Sequence, residues 1–304
     1  MRRIIPLFLI LFGACETAVD PVLPEEEAHA AVYAFFRPDA PLTVDVFGLT
    51  PILETPSFGR INDLSIDIYQ NTERLETLFQ QGQNPLIYQS AFHPIQGIEY
   101  RLEVIIDDQP ISARSTIPPA VAVGGVEISR ELVTVNNGEI GYPFQITFLD
   151  PSSTENYYAI EVFVQNCTAD CPEELTGRLN PIFFEDLEVN TSGNTNIEIG
   201  GVINEEDGFN FIYFDDKGIN GEQVQMNILA VPLHLDFSRD QVVHVVLKSL
   251  SSEYYQYLST SDFQREAEEE GSFAEPVQVF TNIVGGVGVF AGYNYAYTSI
   301  KNTD

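Results

Sequence analysis

The stretch DLSIDIY, residues 63–69, decides the fold class of this chain. Apolar and polar residues alternate along it, and the apolar set is Leu64, Ile66 and Ile68. A period of two predicts a β-strand with one buried face and one solvated face. Because the intervening Asp63, Ser65 and Asp67 are short and polar, the solvated face is well defined.

Similar short apolar segments lie on both sides of this stretch. They are AVYAFF (31–36), LTVDVFGL (42–49), IYQSA (87–91), IEYRLEVII (98–106) and ISARSTI (111–117). Turn signals such as Asp107-Asp108 separate them, and Pro118-Pro119 ends the series. About seven strands in some ninety residues predict an immunoglobulin-like β-sandwich over residues 29–119.

The rest of the chain, residues 120–304, predicts a second and larger β-rich domain, sandwich-like or barrel-like. Strands are expected at 126–135, 143–149, 157–165, 182–189, 196–203, 209–214, 223–232 and 241–249, with one or two closing strands in 283–300. One helix is expected near 251–269, where Tyr254, Tyr257 and Leu258 recur at helical spacing. Ser251 or Ser252 can cap its N-terminus. The fold class predicted for the whole chain is therefore mainly β.

Composition narrows the classes of function. The 304 residues include 45 acidic and 14 basic ones, a net charge of −31. Such a chain repels phosphates, which excludes nucleic acid as a partner. The hydrophobic fraction of 44% provides for a substantial core.

The N-terminus has the layout of an export signal. Two arginines precede the apolar run of residues 4–12, and Gly13, Ala14 and Cys15 follow. Residues 1–14 are therefore interpreted as a signal peptide, and its ending in cysteine resembles a bacterial lipoprotein signal. The resemblance implies cleavage before Cys15 and lipid on Cys15; the alternative is an ordinary secreted chain. Residues 15–28 would then be the lipidated cysteine and an acidic tether.

Two further cysteines stand in NCTADCPEE. Cys167 and Cys171 are an even pair in an exported chain, where disulfides persist. A metal site would require more sulfur or histidine ligands, and a redox pair is usually CxxC. We predict a short structural disulfide between them.

One loop offers oxygen ligands for a cation. Asp216, Asn220 and Glu222 lie in DDKGINGE, on a glycine-containing turn of the kind found in calcium loops. The spacing of an EF-hand is missing, and Asn220-Gly221 is also a hairpin signal. Calcium binding and a simple turn are both kept as interpretations, and no other cofactor is expected.

The predicted helix carries a tyrosine stripe, Tyr254, Tyr255 and Tyr257. In a β protein, such a stripe is typical of packing against a sheet. The alternative is an exposed surface on which a ligand such as a sugar stacks.

Several longer segments resemble the DUF4249 family of uncharacterised Bacteroidetes lipoproteins. They are RLEVIIDDQPISARSTIPPAV (101–121), YYAIEVFV (157–164), LKSLSSEYYQYL (247–258) and FAEPVQVFTNIVGGVGVFAGY (273–293). The resemblance implies a lipoprotein of the outer membrane, facing the cell surface or the periplasm, often encoded beside a TonB-dependent transporter. It implies no established activity and no catalytic residues.

Three functions follow as hypotheses. The first is a non-enzymatic, lipid-anchored binding or accessory protein that assists a TonB-dependent outer-membrane transporter. The second is a surface glycan-binding module or hydrolase, for which the three tyrosines would be the stacking residues. The third is a structural or adhesive surface protein.

Overall fold

A computed structural model describes most of the chain. The residues described are 30–49, 59–81, 87–134, 140–167, 175, 179–182, 184–191, 199–204, 208–231, 235–237, 239–270 and 277–301. Within them the chain forms twenty strands and one helix. The strands are β1 (Ala30–Phe36), β2 (Thr43–Gly48), β3 (Gly59–Arg60), β4 (Ile66–Gln70), β5 (Glu73–Leu78), β6 (Gln80–Gln81), β7 (Ile87–Gln89), β8 (Glu99–Ile106), β9 (Gln109–Thr116), β10 (Val123–Ile128), β11 (Val133–Thr134), β12 (Ile140–Leu149), β13 (Tyr157–Asn166), β14 (Asn180–Pro181), β15 (Phe184–Thr191), β16 (Ile199–Asn204), β17 (Gly208–Asp215), β18 (Gln223–Ala230), β19 (Gln241–Leu250) and β20 (Val287–Lys301). The helix is α1 (Ser252–Glu270).

The first unit is the immunoglobulin-like sandwich that the sequence predicts. One of its sheets has the order β5-β4-β8-β9, and the facing strands have the order β6-β7-β2-β1. Leaving aside the two-residue β3, these are the C′-C-F-G and D-E-B-A orders of immunoglobulin domains. Inward side chains from both sheets form one core, which includes Val32, Val44, Ile66, Ile68, Tyr100 and Leu102.

A hydrogen bond typical of such sandwiches lies at the start of β8. The backbone N–H of Ile95 donates to the hydroxyl of the buried Tyr100 at 2.9 Å. Immunoglobulin-like domains use a tyrosine at this corner in the same way.

The second unit is an antiparallel sheet that curls around its own core. Its strand order is β10-β12-β18-β15-β17-β13-β19-β20, and β10 at one end lies against β19 and β20 at the other. The inward side chains form one cluster, which includes Phe144, Phe148, Tyr158, Ile160, Phe214, Met226 and Val245. The predicted barrel-like architecture agrees with this arrangement.

Strand β20 joins the two units. Residues 287–292 pair in parallel with β1, and residues 293–301 pair antiparallel with β19. Its Phe290, together with Ile283, lies in the core of the first unit. The predicted division of the chain at residue 119 did not anticipate this return of the C-terminal segment.

Asn282 fixes the segment that leads into β20. Its side-chain amide donates to the carbonyl oxygens of Arg114 (3.0 Å) and Phe290 (2.8 Å), and its Oδ1 accepts from the N–H of Phe290 at 2.9 Å. An asparagine side chain can replace a backbone partner in this way. The contact ties the C-terminal segment to β9.

The predicted helix is confirmed as α1. The hydroxyl of Ser251 accepts a hydrogen bond from the N–H of Tyr254 at 3.3 Å, so Ser251 is the N-cap. No helix within the described residues is both long and apolar enough to cross a bilayer.

Candidate functional site

Three arginines and a tyrosine form a row across the outer face of the β5-β4-β8-β9 sheet. Tyr69 lies opposite both Arg74 and Arg101, and Arg101 lies opposite Arg114. Directly opposed residues share one face of a sheet. The row faces outward because its sequence neighbours are buried in the core; these are Ile68, Leu102 and Ala113. We call these four residues the arginine row.

Contacts within the sheet order the arginine row. The guanidinium of Arg101 lies 4.1 Å from the ring centroid of Tyr69, a cation–π contact. Arg101 also pairs with Glu103, and Arg74 lies 3.7 Å from the carboxylate of Asp67. The side chains of Arg74 and Arg101 are thereby held in place, while their outer surfaces stay accessible to solvent.

Arg114 differs from the other two arginines of the row. Its side chain is exposed and makes no ion pair with any residue in the described part of the chain. The chain has only 14 basic residues against 45 acidic ones, so a face on which three arginines balance Asp67, Glu99 and Glu103 departs from its overall charge. Guanidinium groups bind carboxylates and phosphates with two parallel hydrogen bonds. The arginine row can therefore bind an acidic group.

The proposed calcium loop is a turn between β17 and β18. The N–H of Ile219 donates to the carbonyl of Asp216 at 3.0 Å, and the N–H of Glu222 donates to the carbonyl of Ile219 at 2.8 Å. Gly221 has a φ of 76°, which favours glycine. Asn220 is exposed. The interpretation as a simple turn agrees with this geometry, but the turn is not a hairpin, because β15 lies between β17 and β18 in the sheet. Calcium binding stays a prediction.

The carboxylate of Asp216 is buried and is turned toward the interior of the protein. Its Oδ2 accepts hydrogen bonds from the backbone (2.8 Å) and the side chain (3.2 Å) of Asn156. The buried Asp150 accepts from the hydroxyl of Tyr158 at 2.5 Å and from the N–H of Gly221 at 2.8 Å. Burial raises the pKa of Asp216, and the charge of Asp150 adds to that rise. These contacts pin the turn after β12 to the turn after β17.

Burial also governs the protonation of Tyr158. It raises the pKa of that hydroxyl, and the hydrogen bond to Asp150 raises it further. The hydroxyl therefore stays a donor at neutral pH. Across the described residues, no group of three or more His, Cys, Asp or Glu side chains is arranged to hold a metal ion.

The three helix tyrosines pack against the body of the protein. Tyr255 stacks on Tyr157 of β13, with ring centroids 4.7 Å apart. The ring of Tyr254 lies 4.6 Å from that of Phe35 on β1. Tyr257 also contacts rings of β1, at 6.0 Å from Phe35 and 6.3 Å from Tyr33. The interpretation that these tyrosines pack against a sheet therefore agrees with their contacts. Through them, α1 covers the junction of the two units.

The structure describes one of the cysteines discussed above. Cys167 is disulfide-bonded. Cys171 lies outside the described residues, so its pairing with Cys167 stays a prediction. Cys15 and the acidic segment 16–28 also lie outside them.

Sequence reasoning missed the arginine row. Arg101 and Arg114 lie at outward positions of predicted strands, and this pattern indicates that both face solvent. Their alignment depends on the register between strands, and β5, which carries Arg74, was not predicted at all.

The protein combines an immunoglobulin-like sandwich with a curled antiparallel sheet, and a shared C-terminal strand joins the two. This architecture defines its class. The model of the family described as a domain of unknown function, DUF4249, matches residues 16–299. The chain belongs to this family.

Other comparisons add little. No curated protein matches the chain in sequence. A solved structure described as manganese lipoxygenase of Gaeumannomyces graminis with a partial zonadhesin of Komagataella pastoris is 8% identical, with a TM-score of 0.20 over 75% of this chain and 90% of that one. The BSP domain of a biofilm associated protein is 7% identical, with a TM-score of 0.19 over 95% of this chain and 62% of that one. Scores this low carry no argument about fold or function.

Proposed function

We propose that the protein is a lipid-anchored, non-enzymatic binding protein of the bacterial outer membrane. It faces the cell surface and assists a TonB-dependent transporter, to which it presents the arginine row. The anchor in this proposal is Cys15, and the acidic segment 16–28 is the spacer between the membrane and the first strand.

The observation that carries the proposal is the exposed arginine row on an immunoglobulin-like sheet face. Sheet faces and loops of such sandwiches commonly bind other proteins. The comparison with this protein is an analogy at the level of the fold. Charge complementarity favours an acidic surface on the partner. Exposed arginines are also among the residues enriched where proteins meet.

A binding role also agrees with the contacts of the residues considered for chemistry. Asp216 is engaged by Asn156, and the helix tyrosines pack on β1 and β13. Each of these side chains supports the fold by contacts with its neighbours.

Copurification tests the proposal. Tagged full-length protein would be extracted from cells in mild detergent, captured, and its partners identified by mass spectrometry. We expect a TonB-dependent transporter with the wild type, and at least about a tenfold loss with the R74A/R101A/R114A variant. Arg239→Ala is the matched control, because Arg239 is an exposed arginine on the other unit. Equal recovery with the triple variant, or no transporter with the wild type, would overturn the proposal.

A further inference from the structure

A groove of about 520 Å³ lies on the outer face of the second unit. Strands β10, β12 and β18 form its floor, and Val133 of β11 lines one side. This volume is within the range of small-ligand sites. The groove is on a different unit from the arginine row, and none of the sequence motifs points to it.

A polar row crosses the floor of the groove. Glu127 lies opposite Gln145, and Gln145 lies opposite Asn227. The neighbours of Gln145 and Asn227 along the strands are buried core residues, Phe144, Ile146, Met226 and Ile228, so both amides face outward into the groove.

The row keeps hydrogen-bonding capacity for a ligand. The amide of Gln145 donates to Oδ1 of Asn227 at 3.2 Å, which orients both side chains. This leaves the Gln145 carbonyl as an acceptor and the Asn227 amide as a donor. The carboxylate of Glu127 is exposed and makes no ion pair with the described residues. The row therefore offers two acceptors, on Glu127 and Gln145, and one donor, on Asn227, across three neighbouring strands.

Apolar side chains form the walls beside this row. Val133, Pro143 and Leu229 line the groove. Leu229 points outward yet is only 5% exposed, because it leans over Gly141, where a Cβ would lie 2.6 Å from its Cγ. The walls therefore offer apolar contact to the C–H groups of a ligand whose polar groups lie on the floor.

The strand pairing argues against an extended peptide as the ligand. Strand β12 is paired with β10 and β11 on one edge and with β18 on the other. A peptide cannot add as another strand within this floor, because β12 and β18 have strand partners along both edges; only the outer edge of β10, which faces β19 and β20, has no strand partner among the described residues. Recognition must come from side chains.

Charge argues against an anionic ligand. Among the described residues that line the groove, the carboxylate of Glu127 is the only charged group, and the chain as a whole carries −31. Hydroxyl groups match this row, since each one both donates and accepts.

We propose that the groove binds a neutral saccharide, with its hydroxyls on Glu127, Gln145 and Asn227 and its C–H faces on the apolar walls. This site does not involve the helix tyrosines, and it does not depend on the proposed transporter partner.

Binding of neutral disaccharides to the purified full chain tests the inference. Maltose, cellobiose and N,N′-diacetylchitobiose would be added to about 20 mM and followed by saturation-transfer NMR and calorimetry. We expect at least one of them to bind the wild type. Asn227→Ala and Gln145→Ala should each weaken that binding about tenfold or more.

Controls keep the result interpretable. Gln225→Ala changes an outward residue of the same strand that does not line the groove, and it should bind as the wild type does. Glu127→Gln changes only an exposed group, so it should weaken binding even if the amide variants unfold. Binding of none of the three disaccharides, or equal binding by all variants, would overturn the inference. Binding of a neutral Ser-Thr pentapeptide in place of the disaccharides would also overturn it.

Discussion

Gly288 lies opposite Val32 where β20 pairs with β1, and a Cβ on Gly288 would overlap the carbonyl oxygen of Val32. Its φ of 108° also excludes ordinary L-residues. The strand that joins the two units therefore depends on a glycine at this point.

Gly288→Ala should destabilise the protein by about 3–5 kcal/mol, because it adds both backbone strain and a steric clash. Urea unfolding followed by circular dichroism measures the change. Gly59→Ala is the control, since a Cβ there meets nothing within 4 Å. Similar stabilities for the two variants would contradict the tight pairing of β1 with β20.

Tyr100→Phe should cost about 1–1.5 kcal/mol, because the N–H of Ile95 loses its partner at the corner of the sandwich. Thermal unfolding would report the loss as a lower Tm. The outward Tyr69→Phe should change stability by less than about 0.5 kcal/mol. A Tyr100→Phe variant as stable as the wild type would show that this hydrogen bond does not support the fold.

Much of the architecture could be predicted from the sequence, since its signals are local. The alternation in DLSIDIY gives β4, where Ile66 and Ile68 are fully buried. The tyrosine spacing and the serine cap give α1 almost to the residue. Strand β5 was missed because ERLETL is an edge strand with mostly polar side chains, half of which are exposed.

The long-range pairings could not be predicted. Val32 and Gly288 are distant in sequence, and a parallel pair of this kind leaves no short-range signal. The arginine row and the groove of the second unit depend on the register of neighbouring strands, which one sequence does not specify.

Lys248→Met should destabilise the protein by about 2 kcal/mol. Lys248 pairs with Glu161 at 2.8 Å, and their side chains are only 15% and 21% exposed, so the variant leaves a carboxylate largely buried without its partner. The K248M/E161L double variant should recover most of the loss. In contrast, Arg239→Met breaks an exposed pair with Asp236 and should cost less than about 0.5 kcal/mol. Urea unfolding of the three variants measures these losses. Equal losses for Lys248→Met and Arg239→Met would contradict the role assigned to the burial of the Lys248–Glu161 pair.

His244 should make stability depend on pH. Burial lowers its pKa below 6.5, and the ring is held by Ser299 (2.8 Å) and Gln165 (3.2 Å). The unfolded chain keeps the ordinary pKa and binds the proton more readily, so the free energy of unfolding falls as the pH drops through 6.5.

The difference in Tm between about pH 7.5 and about pH 5.5 measures this effect. His244→Gln should show a smaller drop than the wild type over that interval. His93→Gln, at an exposed position, should keep the full drop. An unchanged drop in the His244 variant would mean that another group is responsible.

Photo-crosslinking in living cells examines whether the arginine row contacts the transporter. A photoreactive amino acid would replace Arg114 in the full chain as the cells produce it, and Arg239 in a control. We predict that illumination yields an adduct with a TonB-dependent transporter at position 114 and none at position 239. No adduct at position 114, or equal adducts at both positions, would contradict the proposed binding role.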